Sequence, residues 1–182
     1  YLADQITVPR FSTELPEFAE AEKAVQARID HLMGIKGKES VDSIHKKLGH
    51  IMWEYVGMGR TEEGLKTALK LLKEIRQEFE TNLFIPGSTE GVNIELEKAL
   101  RLNDFITMGE LIAYDALNRN ESCGGHFREE YQTEEGEAKR DDENYFYVSC
   151  WEYQGSDDVA PVLYKEPLVY EAIKVQTRNY KS

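Results

Sequence analysis

The sequence predicts a mainly α-helical protein, with an up-and-down bundle of three to four helices similar to a spectrin repeat. A short β-hairpin and an extended C-terminal tail are expected to follow the bundle. Apolar residues recur at steps of three and four along four consecutive segments, which is the period of an amphipathic helix. Short links between these segments favour antiparallel packing. Two later segments, 145–153 and 159–164, are rich in β-branched and aromatic residues and flank a polar turn, which indicates the hairpin.

The first two helices are bounded by clear end signals. Pro16 suits the first turn of a helix, and Gly34 and Gly37 end the apolar pattern that follows it. Ser40 is the predicted N-cap of the second helix, which is expected to stop at 57–59. The predicted core positions are Phe18, Ala21, Val25, Ile29 and Leu32 in the first helix, and Val41, Ile44, Leu48, Ile51, Met52 and Tyr55 in the second.

The third helix is predicted to begin after Thr61 and to end before Pro86-Gly87. Its predicted core positions are Leu65, Leu69, Leu72, Ile75, Phe79 and Leu83. The fourth runs from Asn93 to about Asn118, and its second half is apolar almost all round. Such a helix is usually covered on more than one side, either by its own bundle or by another surface.

The C-terminal third has a different character. Residues 121–144 are polar, and the acidic piece 134–137 is expected at an exposed loop tip. In the hairpin, Pro161 should lie at an edge or at a strand start, because proline cannot donate a ladder hydrogen bond. Residues 165–182 show weak periodicity and are predicted to form the tail.

Composition excludes several classes of protein. The 182 residues include 34 Asp and Glu against 22 Lys and Arg, a net charge of −12 that repels phosphate backbones, so we expect no nucleic acid partner. No apolar run approaches the ~20 residues that cross a bilayer, and we expect no signal peptide. Cys123 and Cys150 favour a reducing compartment, with a single disulfide left open.

The motifs with possible chemistry favour structural roles. Gly57-Met58-Gly59-Arg60-Thr61 lacks the third glycine of a dinucleotide motif and the Gly-Lys-Ser/Thr of a P-loop, so we interpret it as a helix–helix turn. Cys123, His126 and Cys150 lack the four closely paired ligands of structural zinc, and Glu121 disfavours a reactive thiolate at Cys123. We interpret the other three histidines, His31, His45 and His50, as solvated or half-buried helix residues.

The most specific string is Glu121-Ser122-Cys123-Gly124-Gly125-His126-Phe127-Arg128-Glu129-Glu130, followed by Arg140-Asp141-Asp142-Glu143-Asn144. It resembles the C-terminal region of the flavoprotein subunit of succinate dehydrogenase and fumarate reductase, where Glu-Ser-Arg-Gly-Ala-His leads to an Arg-Asp-Asp-Glu turn. Cys123 and Gly125 depart from that pattern, because many members have Arg and Ala there. A contact that the family makes through that arginine therefore cannot be carried over.

The resemblance covers nearly the whole chain and implies its organisation. Residues 1–12 would be the exit from an upstream flavin domain, 13–120 the helical bundle domain, and 121–182 a loop, hairpin and tail packed on the bundle. The residues alone allow either a solvated charged loop or forked arginine–carboxylate hydrogen bonds around Arg128 and Arg140, and the resemblance favours the second. The candidate domain or subunit interface comprises Glu121, Ser122, Cys123, Gly124, Gly125, His126, Arg128, Arg140, Asp141 and Asp142.

The resemblance also implies a function for the parent protein. That enzyme would interconvert succinate and fumarate through FAD and pass electrons through iron–sulfur clusters of a partner subunit to quinone, in the tricarboxylic acid cycle or anaerobic respiration. FAD and the dicarboxylate site would lie upstream, so no catalytic, cofactor-binding or metal residue is assigned here. The expected partners are the flavin domain, the iron–sulfur subunit and, indirectly, a membrane anchor, on the cytoplasmic face of the cell membrane. The chain alone should be inactive.

Two alternatives belong to other classes. One is a free-standing helical module that binds other proteins and uses no redox cofactor. The other is the C-terminal domain of a flavoenzyme similar to L-aspartate oxidase. The Arg140-Asp141-Asp142 turn and the long terminal strands favour the complex-forming subunits over the oxidase.

Overall fold

Four long helices dominate the structure, a computed structural model that describes residues 12–156 and 159–176. They are α1 (Pro16–Gly34), α2 (Val41–Val56), α3 (Glu62–Asn82) and α4 (Ile94–Asn118). The helices α2, α3 and α4 pack against one another, and α1 contacts α4. The predicted helical fold class is confirmed. Within the described residues, no helix is long and apolar enough to cross a bilayer.

The helix starts follow the capping residues in the sequence. The Ser40 Oγ accepts a hydrogen bond of 3.1 Å from the Ser43 N–H, and the Thr61 Oγ1 accepts one of 3.0 Å from the Gly64 N–H. The Asn93 Oδ1 accepts another of 3.1 Å at the start of α4. Each bond satisfies one of the backbone donors that a helix leaves unpaired at its first turn. The predicted starts of α2, α3 and α4 are therefore confirmed.

The core lies between α2, α3 and α4. Full burial of one Val, Leu, Ile or Phe side chain contributes about 1.5 to 3 kcal/mol to folding. Gly109 of α4 is also buried, and a Cβ there would lie 3.1 Å from the Met52 Sδ, so glycine lets α4 approach α2 closely. The fully buried positions include Val41, Ile44, Leu48, Leu65, Leu72, Ile75, Phe79, Leu83, Leu102 and Ile106.

The predicted burial of α1 is wrong. Of its five predicted core residues only Leu32 is buried, whereas Phe18 is 49% exposed and Val25 is 60% exposed. The helix contacts α4 near its C-terminal end, where the Arg28 Nη2 lies 3.4 Å from the Asp104 Oδ1. A period of 3.6 residues shows that a helix is amphipathic, but it does not say whether its apolar face is covered within the same chain.

The second half of α4 is also left partly uncovered. Phe105 is 47% exposed, Met108 52% and Ile112 41%, although Ala113 and Ala116 on the other side are buried. The ring of His45 stacks on Phe105 with centroids 5.5 Å apart. The bundle therefore covers one side of this helix and leaves its other side exposed.

Two small sheets complete the fold. The two-residue strands β1 (Glu39–Ser40) and β2 (Leu83–Phe84) are parallel and join the start of α2 to the end of α3. The predicted hairpin consists of β3 (Tyr147–Glu152) and β4 (Val162–Pro167), antiparallel in register. Pro161 comes directly before β4, as predicted.

The strand bounds differ from the prediction at both ends. Asp141 caps a one-turn helix, α5 (Asp142–Tyr145), which delays the first strand by two residues. The pairing of Tyr147 with Pro167 extends β4 past residue 164, so residues 165–167 are strand and not tail. Residues 168–176 lack regular structure, as expected, whereas 177–182 lie outside the described residues. The division at residues 12 and 120 stays a prediction, and most of the first segment is not described.

The hairpin docks on α4 through one aromatic side chain. The Trp151 Nε1–H donates to the Asp115 Oδ1 over 2.7 Å, and its ring meets Tyr114 edge-on with centroids 5.0 Å apart. A buried tryptophan usually pairs its N–H in this way. The acidic piece 134–137 forms the predicted exposed loop tip, where Gly136 has a φ of 79°.

Candidate functional site

The candidate interface segment lies where the C-terminal end of α4 meets the turn between α2 and α3. We call residues 119–130 together with Arg60 the clamp. Three of its side chains are polar or charged and buried: Glu121 is 2% exposed, Ser122 0% and Arg128 1%. Burial of such groups costs free energy unless they are hydrogen-bonded, so their partners determine what the clamp does.

Arg128 joins the end of α4 to the start of α3. Its Nη1 donates to the Ala116 carbonyl over 3.0 Å, and its Nε donates to the Glu130 Oε2 over 3.1 Å. The other Glu130 oxygen accepts a 2.5 Å hydrogen bond from the Glu62 N–H. The cation thus faces the negative end of one helix dipole, and the carboxylate faces the positive end of another.

The pKa of the Glu130 carboxyl reflects this arrangement. Burial opposes ionisation, but hydrogen bonds from the backbone N–H of Glu62 and from Arg128 hold the pKa below its usual value. Glu130 therefore stays ionised at neutral pH and keeps Arg128 paired. Arg128 is buried and paired, which a solvated loop would not give, but it meets Glu130 through one nitrogen and not through a forked pair.

Ser122 fixes the backbone of Arg128. Its Oγ accepts from the Arg128 N–H over 2.8 Å and donates to the Arg128 carbonyl over 3.1 Å. The Ser122 N–H donates to the Lys139 carbonyl over 2.9 Å. One small hydroxyl thereby satisfies both backbone groups of a buried residue, which no apolar side chain could do.

Residues 123–126 form a two-residue hairpin turn. The N–H and carbonyl groups of Cys123 and His126 pair over 2.8 and 3.0 Å. Gly124 has a φ of 59°, a backbone conformation that glycine adopts without strain. Cys123 is half-buried, Cys150 is exposed on β3, and both are free thiols. Across the described residues, no three His, Cys, Asp or Glu side chains converge in a metal-binding arrangement.

His126 bridges two arginines through both ring nitrogens. Its Nδ1 lies 2.9 Å from the Arg60 Nη1, and its Nε2 lies 2.9 Å from the Arg119 carbonyl oxygen. Because a guanidinium only donates and a carbonyl only accepts, Nδ1 is the acceptor and Nε2 carries the proton. Burial lowers the pKa of His126, the bond to the Arg119 carbonyl opposes this, and the cations Arg60, Arg128 and Arg119 lower it further.

Arg60 connects the α2–α3 turn to the clamp. Its Nε donates to the carbonyls of Val56 and Gly57 over 3.1 and 3.2 Å, which caps the end of α2. Its backbone N–H donates to the Phe127 carbonyl over 3.0 Å, and its carbonyl accepts from the Glu129 N–H over 2.9 Å. The predicted helix–helix turn is confirmed, and the structure adds a second function for its arginine.

Arg119 and Glu121 connect the clamp to the hairpin. The Arg119 Nη1 donates to the Glu121 Oε1 over 2.6 Å, and its Nη2 donates to the Tyr147 carbonyl over 2.9 Å. The second Glu121 oxygen accepts from the Asp141 N–H over 2.8 Å. The Arg119 guanidinium also lies 5.6 Å from the ring centre of Tyr145, within cation–π range.

The predicted interface residues thus divide into two groups. Glu121, Ser122 and Arg128 are buried in the clamp and hold it together. The other seven are at least partly exposed: Cys123, Gly124, Gly125, His126, Arg140, Asp141 and Asp142. The Arg140 Nε donates to the Asp142 Oδ1 over 2.9 Å. Their contact with another domain or subunit stays a prediction.

Sequence reasoning missed Arg60 and Arg119 as members of this site. The signal available was an arginine shortly after a helix, one residue past the end of α4 for Arg119 and four past the end of α2 for Arg60, where guanidinium groups often bond to the last carbonyls. That signal is weak, because most arginines at such positions are solvated. The bond between Arg60 and His126 joins residues 66 positions apart, and no local sequence pattern predicts it.

The chain matches the family model described as fumarate reductase flavoprotein C-term over residues 45–180. It is 30% identical to the fumarate reductase flavoprotein subunit of Proteus vulgaris over 148 residues, which are 79% of this chain and 24% of that protein. It is 37% identical to a chloroplastic L-aspartate oxidase of Nicotiana tabacum over 88 residues, 48% of this chain and 13% of the relative.

A solved structure of quinol fumarate reductase from E. coli shares the fold. It superposes with a TM-score of 0.70 at 21% sequence identity, over 96% of this chain and 28% of the other. The chain therefore spans about a quarter or less of the length of these known proteins. The matched part contains the clamp, and the remaining length of the relatives has no counterpart in this sequence.

Proposed function

The chain belongs to the fumarate reductase flavoprotein C-terminal family, and we propose that it is the structural domain that supports the flavin-binding part of such a subunit. Its relatives in that family are oxidoreductases of the fumarate reductase and succinate dehydrogenase type. The proposed parent enzyme interconverts succinate and fumarate, with hydride transfer between the dicarboxylate and FAD. Electrons would pass through iron–sulfur clusters of a partner subunit to quinone, in a complex at the inner face of the cell membrane.

The observation that carries this proposal is apolar surface that the chain does not cover. We call Phe18 and Val25 of α1, with Phe105, Met108 and Ile112 of α4, the open face. Each of the five side chains is between 41% and 60% exposed. The two helices are neighbours, because Arg28 of α1 bonds to Asp104 of α4. Apolar exposure on two neighbouring helices is typical of an interaction surface.

The proposed occupant of the open face is the flavin-binding part of the same subunit. The relative from Proteus vulgaris is about four times longer than the matched segment, which is 24% of its length. A neighbour joined by the same polypeptide has a high effective concentration and docks without an additional association cost. The open face therefore suits a permanent intramolecular contact.

The clamp supports a second part of the proposal. It fixes an irregular segment whose backbone would otherwise be free to sample many conformations. In doing so it holds Cys123, Arg140 and Asp142 at the surface, where we propose that they meet the iron–sulfur subunit. Fixed polar groups of this kind give an interface its register and specificity more than its affinity.

FAD is proposed to bind outside this chain. In the described residues every buried side-chain nitrogen or oxygen has a hydrogen-bond partner, so none of these buried side chains has an unpaired donor for a cofactor phosphate. The glycine-containing turn at 57–59 ends a helix and is paired with the clamp. We derive no step of flavin chemistry from these residues.

A parent similar to L-aspartate oxidase is the second candidate. The identity of 37% to the Nicotiana enzyme is higher than the identity to the Proteus subunit, but it covers only 48% of the chain. The fumarate reductase relative is matched over 79% of the chain. The broader match favours the complex-forming subunit.

The test compares the complete subunit with the isolated chain. The double variant V25Q/M108Q replaces two open-face residues that are at least half exposed, and V92Q replaces a loop valine that is 99% exposed. We expect V25Q/M108Q to lower the melting temperature and flavin content of the complete subunit while leaving the isolated chain unchanged. The V92Q control should match the wild type in both.

Two results would overturn the proposal. One is an isolated chain that is yellow or that reduces dyes with succinate, because flavin would then bind to this part. The other is a complete subunit whose stability and flavin content are the same with and without V25Q/M108Q. Activity of the complete subunit towards L-aspartate, and not succinate, would select the second candidate.

A further inference from the structure

The contact between the α2–α3 turn and the clamp depends on one neutral histidine. We call the two backbone hydrogen bonds of Arg60 with Phe127 and Glu129, together with the Arg60–His126 bond, the latch. These bonds are 3.0, 2.9 and 2.9 Å long. Two backbone bonds alone form a single isolated bridge between distant segments. The imidazole supplies the side-chain bond at this bridge, and the bond from the Glu62 N–H to Glu130 is the next contact along the two segments.

The surroundings of His126 are positively charged on every side that packs against it. Arg60 faces it from the α2–α3 turn, Arg119 from the end of α4, and Arg128 from the clamp itself. The nearby carboxylates are already used, since Glu121 pairs with Arg119 and Glu130 pairs with Arg128. No anion lies in hydrogen-bond contact with the imidazole among the described residues.

Two further carboxylates lie near the latch, and neither replaces the lost partner. Asp115 of α4 acts on the charge of Arg60 and accepts the indole N–H of Trp151. The Glu129 side chain packs over Gly59 in the α2–α3 turn, where its Oε1 would lie 2.8 Å from an added Cβ. An imidazolium would thus point its Nδ1–H at the Arg60 guanidinium, donor against donor and charge against charge.

We propose that the latch opens in acid, when a proton on the Nδ1 of His126 expels Arg60 and separates the α2–α3 turn from residues 126–129. The bond from the His126 Nε2–H to the Arg119 carbonyl survives, because that nitrogen is a donor in both states. The apolar core between α2, α3 and α4 contains no group that titrates in this range and stays folded. The half-buried, cation-rich site favours the neutral ring, in agreement with the lowered pKa of His126.

The experiment follows amide hydrogen exchange by NMR in the 182-residue chain between pH 7.5 and 4.5. The reporters are the amides of Arg60 and Glu129, which donate the two backbone bonds of the latch. The amide of Leu72, in the buried middle of α3, is the internal reference. After correction for the intrinsic pH dependence of exchange, the protection of both reporters should fall at least tenfold with decreasing pH, whereas that of Leu72 stays constant.

Two variants assign the effect to one imidazole. In H126Q the amide can still accept from Arg60 and donate to the Arg119 carbonyl, but it does not titrate, so protection should not change with pH. H50Q removes an exposed histidine of α2 and should behave as the wild type. If H126Q does not fold, the ring signals of His126 in the wild type give its titration directly.

The proposal is overturned by any of three results. Protection of Arg60 and Glu129 could be constant with pH in the wild type. It could fall equally in H126Q, which would assign the change to a carboxylate. Finally, the titration of the His126 ring could have a midpoint different from that of the loss of protection.

Discussion

The bundle and the clamp hold their shapes by different means. In the bundle, apolar side chains such as Leu65 and Leu72 are fully buried and contact many neighbours, so stability comes from area removed from water. In the clamp, three arginines and one histidine each bond to particular carbonyls and carboxylates. The bundle tolerates substitutions that conserve volume, whereas the clamp requires specific donors and acceptors in specific places.

The two regions therefore respond differently to small changes. A methylene more or less in the bundle changes packing gradually, since neighbouring side chains relax. The loss of one donor in the clamp leaves a buried acceptor without any partner, and water cannot replace it.

Arg128→Leu should be the most damaging of these changes. It leaves the buried Ala116 carbonyl unpaired, at a cost of about 1 to 3 kcal/mol, and it removes the charged hydrogen bond to Glu130, whose side chain is 39% exposed and whose bond contributes about 1.5 kcal/mol. Chemical denaturation gives the free energy of unfolding. The matched control is Arg101→Leu on exposed α4 surface, where the side chain is 69% exposed and the loss should stay below about 0.5 kcal/mol. Equal losses in the two variants would refute the contrast.

Leu72 tests the bundle in the same assay. Leu72→Ala removes a fully buried side chain and should cost about 3 kcal/mol, as large-to-small core substitutions do. Leu72→Met conserves volume and should cost less than about 1.5 kcal/mol. The equivalent conservative change in the clamp, Arg128→Lys, should remain severe, because one ammonium group cannot reach both Glu130 and the end of α4. A mild Arg128→Lys would show that the clamp is as tolerant as the core.

Ser122→Ala should have an intermediate effect. It removes one hydroxyl and leaves the buried Arg128 N–H unpaired, at a cost of about 1 to 3 kcal/mol, whereas the Arg128 carbonyl still accepts from the Tyr131 N–H. Ser88→Ala in the exposed loop before α4 serves as the control and should stay within about 0.5 kcal/mol of the wild type. A cost below that of the control would mean that water reaches the buried backbone.

The pH dependence of stability should be the smallest effect and should arise in the clamp. The folded-state pKa of His126 is lower than its unfolded value of about 6.5, so the unfolded chain binds the proton more readily. Its contribution to the free energy of unfolding is complete above pH 6.5 and is lost as pH falls through the lower folded-state pKa. Denaturation midpoints measured from pH 7.5 to 5 should fall less in H126Q than in the wild type. A wild-type profile that matches H126Q would contradict this assignment.

The two regions also differ in how far the sequence predicts them. The starts of α2, α3 and α4 follow from Ser40, Thr61 and Asn93, because capping is a local interaction. The exposure of Phe18 and Val25 was missed, since an amphipathic pattern shows that a helix has an apolar face but does not show what packs against it. The pairing of Arg128 with a carboxylate was expected only from a family resemblance.

Arg60 and Arg119 could not be predicted, because their partners are set by tertiary structure. When a guanidinium bonds to a backbone carbonyl, the partner can be any type of residue, since every residue carries the same carbonyl. The sequence therefore does not identify the partner. Periodicity indicates an apolar face and caps indicate helix ends, but a bond between residues 66 positions apart depends on how the helices are arranged. The site was therefore located by its unusual string and explained only by the fold.

The separation between Arg60 and His126 has a consequence for biosynthesis. A ribosome adds about 5 to 20 residues per second, so the α2–α3 turn leaves it several seconds before the segment that closes over it. The bundle helices contact one another as they appear, whereas the α2–α3 turn must wait for His126 and Phe127. We expect a nascent chain that has left the exit tunnel only as far as residue 120 to contain the helices and to expose this turn to proteases. The same turn should become resistant once residue 130 has left the exit tunnel.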